Sequence, residues 1–96
     1  MGLGLSFRKG EDFYINDERF FVSEIRSPTA FCIVREKDGQ AFWLAEGQAA
    51  ELAPALRVSV GDRGQFHLAR VSFDAPREVL ITEGDKYRRN GGHRRP

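Results

Sequence analysis

Short segments in which apolar and polar residues alternate, separated by turn residues, run along most of this 96-residue chain. In residues 2–8, Leu3, Leu5 and Phe7 alternate with smaller or polar residues. Successive side chains of a β-strand point to opposite faces, so this spacing places the three apolar side chains on one face. Comparable segments recur about every 8–12 residues between turn signals, which is typical of an all-β sandwich or barrel. We therefore expect an all-β fold with little helix.

The remaining strand and turn signals divide the chain into further elements. Predicted strands cover residues 12–15, 19–25, 30–35, 42–44, 56–60, 66–73 and 78–82, and predicted turns cover residues 16–17, 37–40 and 61–64. Asp38-Gly39 is the strongest hairpin signal, because this pair readily adopts the positive φ angles of a type I′ turn. The one helical candidate, residues 47–53, is about two turns long and is ended by Pro54.

The length of the chain indicates a single domain that gains from a partner subunit. A globule of this size buries only about 60–65% of its unfolded surface, so we expect a homodimer. Cys32 is the only cysteine and cannot form an intrachain disulfide, which fits a reducing compartment and predicts a cytoplasmic protein. Charged residues interrupt the N-terminal apolar stretch, and no segment approaches the roughly 20 apolar residues of a membrane span, so we expect no membrane association.

Charge is unevenly distributed along the chain. Residues 1–84 contain 10 Lys/Arg and 13 Asp/Glu, whereas residues 85–96 contain five Lys/Arg and one acid. The second segment is therefore predicted to be a flexible basic tail, separate from a domain formed by residues 1–84. Such a tail either attracts phosphate groups or only increases solubility.

Two segments near the ends of the chain resemble the CsrA/RsmA carbon storage regulators, small bacterial dimers that bind messenger RNA and control translation. Near the start, the matching residues are Leu5, Arg8, Gly10, Glu11, Ile15, Asp17 and Glu18. Near the end they are Ala75, Pro76, Glu78, Val79 and Tyr87, with Arg70, Arg77 and Ile81 as conservative equivalents. The matches cover roughly half of the chain.

The resemblance implies a strand-exchanged sandwich or barrel dimer, in which the first strand of one subunit lies beside the last strand of the other. That paired edge would bind a single-stranded or hairpin-loop RNA containing GGA. The RNA-binding residues implied by the resemblance, together with the neighbouring basic residues, are Leu5, Phe7, Arg8, Lys9, Val79, Ile81, Lys86, Arg88 and Arg89. This chain is about forty residues longer than the family pattern, which predicts an insertion within residues 26–70. Our preferred assignment of the insertion is a hairpin and helical turn at residues 36–56.

Two residues depart from the family at positions where it has RNA-contacting basic residues. Phe7 replaces a basic residue of the first strand, and Glu83 replaces the most important arginine. A carboxylate donates no hydrogen bond and repels phosphate, so we expect altered or lost reading of guanine. Phe7 would either stack on an unpaired base or belong to the core.

The sequence does not indicate an enzyme. His67 has no evident carboxylate to orient it, Cys32 is predicted to be a core residue, and residues 61–64 lack the Lys-Ser/Thr of a phosphate-binding loop. Glu36 and Asp38 are too few ligands for a metal site. We therefore expect no catalytic residues, no metal and no cofactor.

Two functions remain open. The first is an RNA-binding translational regulator with altered RNA specificity. The second is a protein-interaction module on the same scaffold that no longer binds GGA RNA. Its candidate contacts are the aromatic residues Phe20, Phe21, Phe42 and Trp43, rimmed by Glu24 and Glu51. In either case Phe73 and Leu80, on the strands that flank the break at residues 74–76, are predicted to face the core.

Overall fold

The computed structural model describes residues 2–61 and 68–89, which form nine strands and one short helix. The first five strands are β1 (Gly2–Phe7), β2 (Asp12–Ile15), β3 (Glu18–Ser27), β4 (Ala30–Arg35) and β5 (Ala41–Ala45). They are followed by β6 (Ala49–Ala53), β7 (Leu56–Val60), β8 (Ala69–Asp74), β9 (Ile81–Glu83) and the helix α1 (Gly84–Arg89). The all-β class expected from alternation is confirmed.

The strands form two antiparallel sheets. One has four strands in the order β1-β8-β7-β6, and the other has five in the order β5-β4-β3-β2-β9. The four-stranded sheet contains a meander of three consecutive strands, β6 to β8, and the five-stranded sheet contains a meander of four, β2 to β5. Each terminal strand joins the meander from the other end of the chain: β1 pairs with β8, and β9 pairs with β2. The first and last strands of one chain therefore lie in different sheets.

The core lies between the sheets and is rich in phenylalanine. Phe13 of β2 is fully buried, and its ring lies 5.0 Å from that of Phe7 and 5.3 Å from that of Phe73. Phe7 and Phe73 belong to the four-stranded sheet, so Phe13 joins the two layers. Phe20 stacks on Phe13 from the neighbouring strand at 5.5 Å. The predicted burial of Phe73 is confirmed, and Phe7 is a core residue, as one of its two interpretations required.

The turns follow the sequence signals with one change. Asn16, between β2 and β3, has a φ of 56°, in the left-handed region that asparagine adopts more readily than most residues. Gly39 has a φ of 71°, but Asp38 is not among the residues with positive φ. The type I′ turn is therefore wrong. Residues 36–40 form a longer loop, held by the Asp38 carboxylate, which accepts hydrogen bonds from Arg35.

The predicted helix at residues 47–53 is wrong, because this segment contains β6. Its residues pair with β7 across a two-residue turn in which Ala55 has a φ of 62°. Two isolated helical turns are marginal in water. Pairing with β7 instead gives the backbone N–H and C=O groups hydrogen-bond partners and buries Leu52, which is 1% exposed.

The prediction that Leu80 faces the core is also wrong. Leu80 is 46% exposed, and the last strand begins only at Ile81. Leu80 is held in the preceding loop by Asn16, because each of these residues donates its backbone N–H to an oxygen of the other, over 2.7 Å and 3.1 Å. This contact shortens the predicted strand from its start.

Several predicted features lie outside the described residues. They are most of the turn at residues 61–64, the first two residues of the strand predicted at 66–73, both histidines and the tail beyond Arg89. Residues 85–89, assigned to the tail by charge, belong to α1. Across residues 2–61 and 68–89, no helix is both long enough and apolar enough to traverse a lipid bilayer.

We expect Phe13→Ala to lower the free energy of unfolding by about 3–5 kcal/mol, because it removes the ring that joins the two sheets and leaves a cavity. Urea denaturation monitored by circular dichroism measures this change. Phe21→Ala, at a half-buried position on the outer face, is the matched control and should cost less than half as much. Equal losses for the two variants would contradict this view of the core.

Candidate functional site

The two ends of the chain meet along one side of the sandwich. On the opposite side, β5 and β6 follow each other through a tight corner in which Gln48 N–H donates to Ala45 C=O at 3.0 Å. Between β1 and β9 the sheets instead border a cleft of about 270 Å³, which we call the terminal cleft. It is lined by Ser6, Phe7, Gly10, Glu11, Asp12, Glu83, Gly84, Asp85 and Arg88.

Asp12 organises the terminal cleft. Its side chain is 7% exposed and accepts hydrogen bonds from Arg88, at 2.7 and 3.2 Å, and from Arg19, at 2.7 Å. The bonds from Arg88, followed by those from Arg19, lower the pKa of the Asp12 carboxyl below its ordinary value, although burial opposes them. The charged form of Asp12 therefore fastens α1 to β2.

A second contact holds α1 in place. The ring of Tyr87 stacks on that of Tyr14 with centroids 3.5 Å apart, and the Tyr87 hydroxyl donates a hydrogen bond to Asp17 at 2.9 Å. Within α1, Arg88 also pairs with Asp85 at 2.9 Å. Both terminal nitrogens of the Arg88 guanidinium thus donate hydrogen bonds to carboxylates of this chain.

The terminal cleft carries more negative than positive charge. Four of its lining residues are acidic, namely Glu11, Asp12, Glu83 and Asp85, whereas Arg88 is the one cationic residue among them. Glu83 is exposed in the cleft. A surface with this balance repels a phosphate backbone rather than attracting it.

The structure separates the residues that the resemblance assigned to RNA. Phe7 is 2% exposed and offers no ring face to a base. Leu5, Val79 and Ile81 are half-buried and pack against the core, and none of them lines the cleft. The remaining predicted residues are all cationic: Arg88 is paired with carboxylates, whereas Arg8, Lys9, Lys86 and Arg89 are exposed and have no ion pair among residues 2–61 and 68–89.

A second surface lies on the outer face of the five-stranded sheet. Phe21 on β3 faces outward beside Val34, and Trp43 on β5 faces outward beside Cys32. Trp43 is 47% exposed, and the guanidinium of Arg26 lies 4.3 Å from the centroid of its ring. The guanidinium of Arg19 lies 5.3 Å from the Phe21 ring. We call the two rings and the two guanidinium groups the aromatic platform.

Strand register determines which aromatic residues reach this platform. Of the four aromatic candidates, Phe20 is fully buried and Phe42 faces inward, where Arg35 lies 5.4 Å from its ring centroid. Glu51 belongs to the other sheet, so it does not rim the platform as predicted. Arg26 was missed by sequence reasoning. It reaches Trp43 because β3 has register irregularities between Val22 and Ser27. No local sequence pattern predicts these irregularities.

The described part of the chain groups no three His, Cys, Asp or Glu side chains as metal ligands. No protein-family model, curated protein or solved structure matches the chain.

We expect Gly84→Ala to destabilise the protein by about 1–3 kcal/mol, the scale of lost hydrogen bonds to a charged group. A Cβ at this position would overlap the Asp12 carboxylate and displace it from both arginines. Alanine is the better helix former, so a loss would report the overlap and not helix propensity. Gly4→Ala, which has no neighbour within 4 Å of the added Cβ, is the control in thermal and urea unfolding.

We also expect the Asp12 ion pairs to make stability depend on pH. The pKa of Asp12 is lower in the folded chain than its ordinary value of 3.8, so its contribution is complete above that value and is lost as the pH falls through the folded-state pKa. Asp12→Asn should therefore be less stable than wild type at about pH 7, and the difference should shrink towards about pH 2.5.

Urea unfolding at several pH values measures this difference. Asp38 also titrates low, with its pKa lowered to about 2 mainly by Arg35, but it is unchanged in Asp12→Asn and cancels in the comparison. A stability gap that is constant between about pH 7 and pH 2.5 would show that the Asp12 charge does not stabilise the fold.

Proposed function

We propose that this chain is an RNA-binding post-transcriptional regulator with altered RNA specificity, and that it contacts single-stranded RNA through the aromatic platform. The observation that carries the proposal is Trp43, nearly half exposed on an outward sheet face with the Arg26 guanidinium against its ring. The regulatory role rests on the resemblance of the chain ends to the CsrA/RsmA family.

The aromatic platform carries the two kinds of group on which unpaired bases stack, aromatic rings and guanidinium planes. Sheet faces that bind single-stranded RNA stack bases on outward aromatic rings and on arginine guanidinium planes. Phe21 and Trp43 lie two strands apart, which is about 10 Å at the usual strand spacing. Arg26 is 65% exposed, and its nearest carboxylate contact, with Glu24, is long at 3.7 Å. This guanidinium can therefore turn to a base or a phosphate with little loss of existing contact.

The terminal cleft supports the altered specificity. The family would use the edge formed by its first and last strands, and this cleft presents an exposed Glu83 and an Arg88 already bound to Asp12. Guanine recognition by an arginine fork at the last strand has no counterpart among the described residues of the cleft. Trp43 lies on β5, at the far edge of the five-stranded sheet from β9, so RNA stacked on this ring lies away from these carboxylates.

The protein-interaction module is the second candidate function, and the same face favours it in one respect. Val34 and Ala41 continue the apolar surface beside Phe21, and Glu24 is exposed at its side. An apolar patch with a mixed charged rim also suits a protein partner. RNA binding therefore has to be tested directly.

We expect Trp43→Ala to weaken binding of an unstructured oligoribonucleotide by about 5-fold to 150-fold, which corresponds to the 1–3 kcal/mol of one base stacked on an aromatic ring. Fluorescence anisotropy at two salt concentrations measures this affinity. Leu80→Ala is the matched control, because Leu80 is 46% exposed but lies outside the platform. Arg26→Gln should also weaken binding and reduce its salt dependence.

Glu83→Arg distinguishes the platform from the terminal cleft. If RNA binds at the platform, this substitution should change affinity for a GGA hairpin little. Tighter binding of the hairpin, together with normal binding by Trp43→Ala, would place RNA at the cleft instead. If wild type binds neither RNA at low salt, the RNA proposal fails and the protein-interaction module takes its place.

A further inference from the structure

The first strand is an edge strand whose own sequence carries no protecting residue. β1 lies at the end of its sheet, with β8 on one side and no strand on the other among the described residues. Its sequence, Gly-Leu-Gly-Leu-Ser-Phe, contains no charge and no proline. Natural proteins usually guard such edges with lysine, proline, a bulge or a covering element, because unpaired N–H and C=O groups recruit other strands.

The other sheet edges in the described part of the chain are less open. β5 and β6 border each other at their shared corner. β9 has only three residues and runs directly into α1. Within β1, Ser6 and Phe7 line the terminal cleft, whereas residues 2–5 lie beyond it. The N-terminal part of β1 is therefore the accessible edge.

We propose that this edge pairs with β1 of a second copy of the chain, antiparallel and about a two-fold axis. With Gly4 on the axis, Leu3 lies opposite Leu5 of the partner subunit, and the two four-stranded sheets become one sheet of eight strands. The pairing is isologous, so one sequence satisfies both sides. It also forms without strand exchange, since β1 already pairs with β8 of its own chain through six residue pairs.

The exposure of Leu3 and the positions of the charged residues both favour a second copy of the chain as the partner of β1. Leu3 is 41% exposed although it belongs to the inward-facing set of β1, and the added strand would cover it. Arg8 and Lys9 follow the strand directly. In the antiparallel arrangement the two Arg8 residues stand eight residues apart along the strand direction, about 27 Å at 3.4 Å per residue. A parallel pair would bring the like charges together, and like charges facing each other destabilise a sheet.

This interface is independent of the proposed function. The aromatic platform belongs to the five-stranded sheet, whereas β1 belongs to the four-stranded one. Association through β1 therefore leaves Trp43 uncovered on both copies. Neither result below depends on RNA binding.

Disulfide trapping tests the register. In an antiparallel pair, facing Cα atoms lie about 4.5–5.5 Å apart, within the range a disulfide spans, so Gly4→Cys should cross-link to its own copy under mild oxidation. The added Cβ has no neighbour within 4 Å, and the native Cys32 is 2% exposed and should not compete. Ser72→Cys is the matched control. Ser72 pairs with Gly4 from β8, one strand away from the proposed interface, so the two Ser72 positions of a dimer do not face each other. Equal cross-linking of the two variants, or none, would overturn the proposed register.

Sedimentation equilibrium at micromolar concentration tests the interface itself. Wild type should be dimeric, Leu3→Lys should be mainly monomeric, because a charge at the edge blocks pairing, and Leu80→Lys should remain dimeric. Circular dichroism of each variant confirms that the fold is kept. A monomeric wild type, or a dimer that tolerates Leu3→Lys as well as Leu80→Lys, would overturn the proposal.

Discussion

The packing of Phe13 against aromatic rings from both sheets is the contact on which the rest of this structure depends. Phe13 belongs to the five-stranded sheet, and it touches Phe7 and Phe73 of the four-stranded one. Because period-two alternation buries one face of each strand, every inward ring leaves its neighbours pointing outward. The same packing that closes the core thus places Phe21 and Trp43 on the outer face.

The first and last strands, β1 and β9, lie at edges of different sheets, and the two sheets border the terminal cleft between them. β1 pairs with β8 and β9 pairs with β2, so both pairings join residues that are far apart in sequence. Contacts of this kind close only when most of the chain is present, which slows folding relative to local hairpins. Their result is that residues of the first and last strands border a single cleft within one chain.

Ion pairs within the chain determine which charged groups the terminal cleft exposes. Asp12 on β2 accepts hydrogen bonds from Arg88 on α1 and from Arg19 on β3, so two guanidinium groups hold these three elements together. Glu83 remains exposed beside them. The excess of carboxylates makes the cleft a poor site for phosphate, while the outer sheet face keeps an arginine against an exposed tryptophan. The proposed RNA surface follows from this division.

Local patterns in the sequence were sufficient for the all-β class, for most strands and for the turn at Asn16, because alternation and turn preference act between near neighbours. They identified Phe21 and Trp43 as candidates but did not separate them from two inward-facing phenylalanines. Pairing with β7 made residues 49–53 a strand against their helical composition. The Asp12–Arg88 pair joins residues 76 positions apart, and Arg26 meets Trp43 only through irregularities in β3. Tertiary structure alone decided these contacts, because strand register and helix docking minimise the free energy of the whole chain and not that of any one segment.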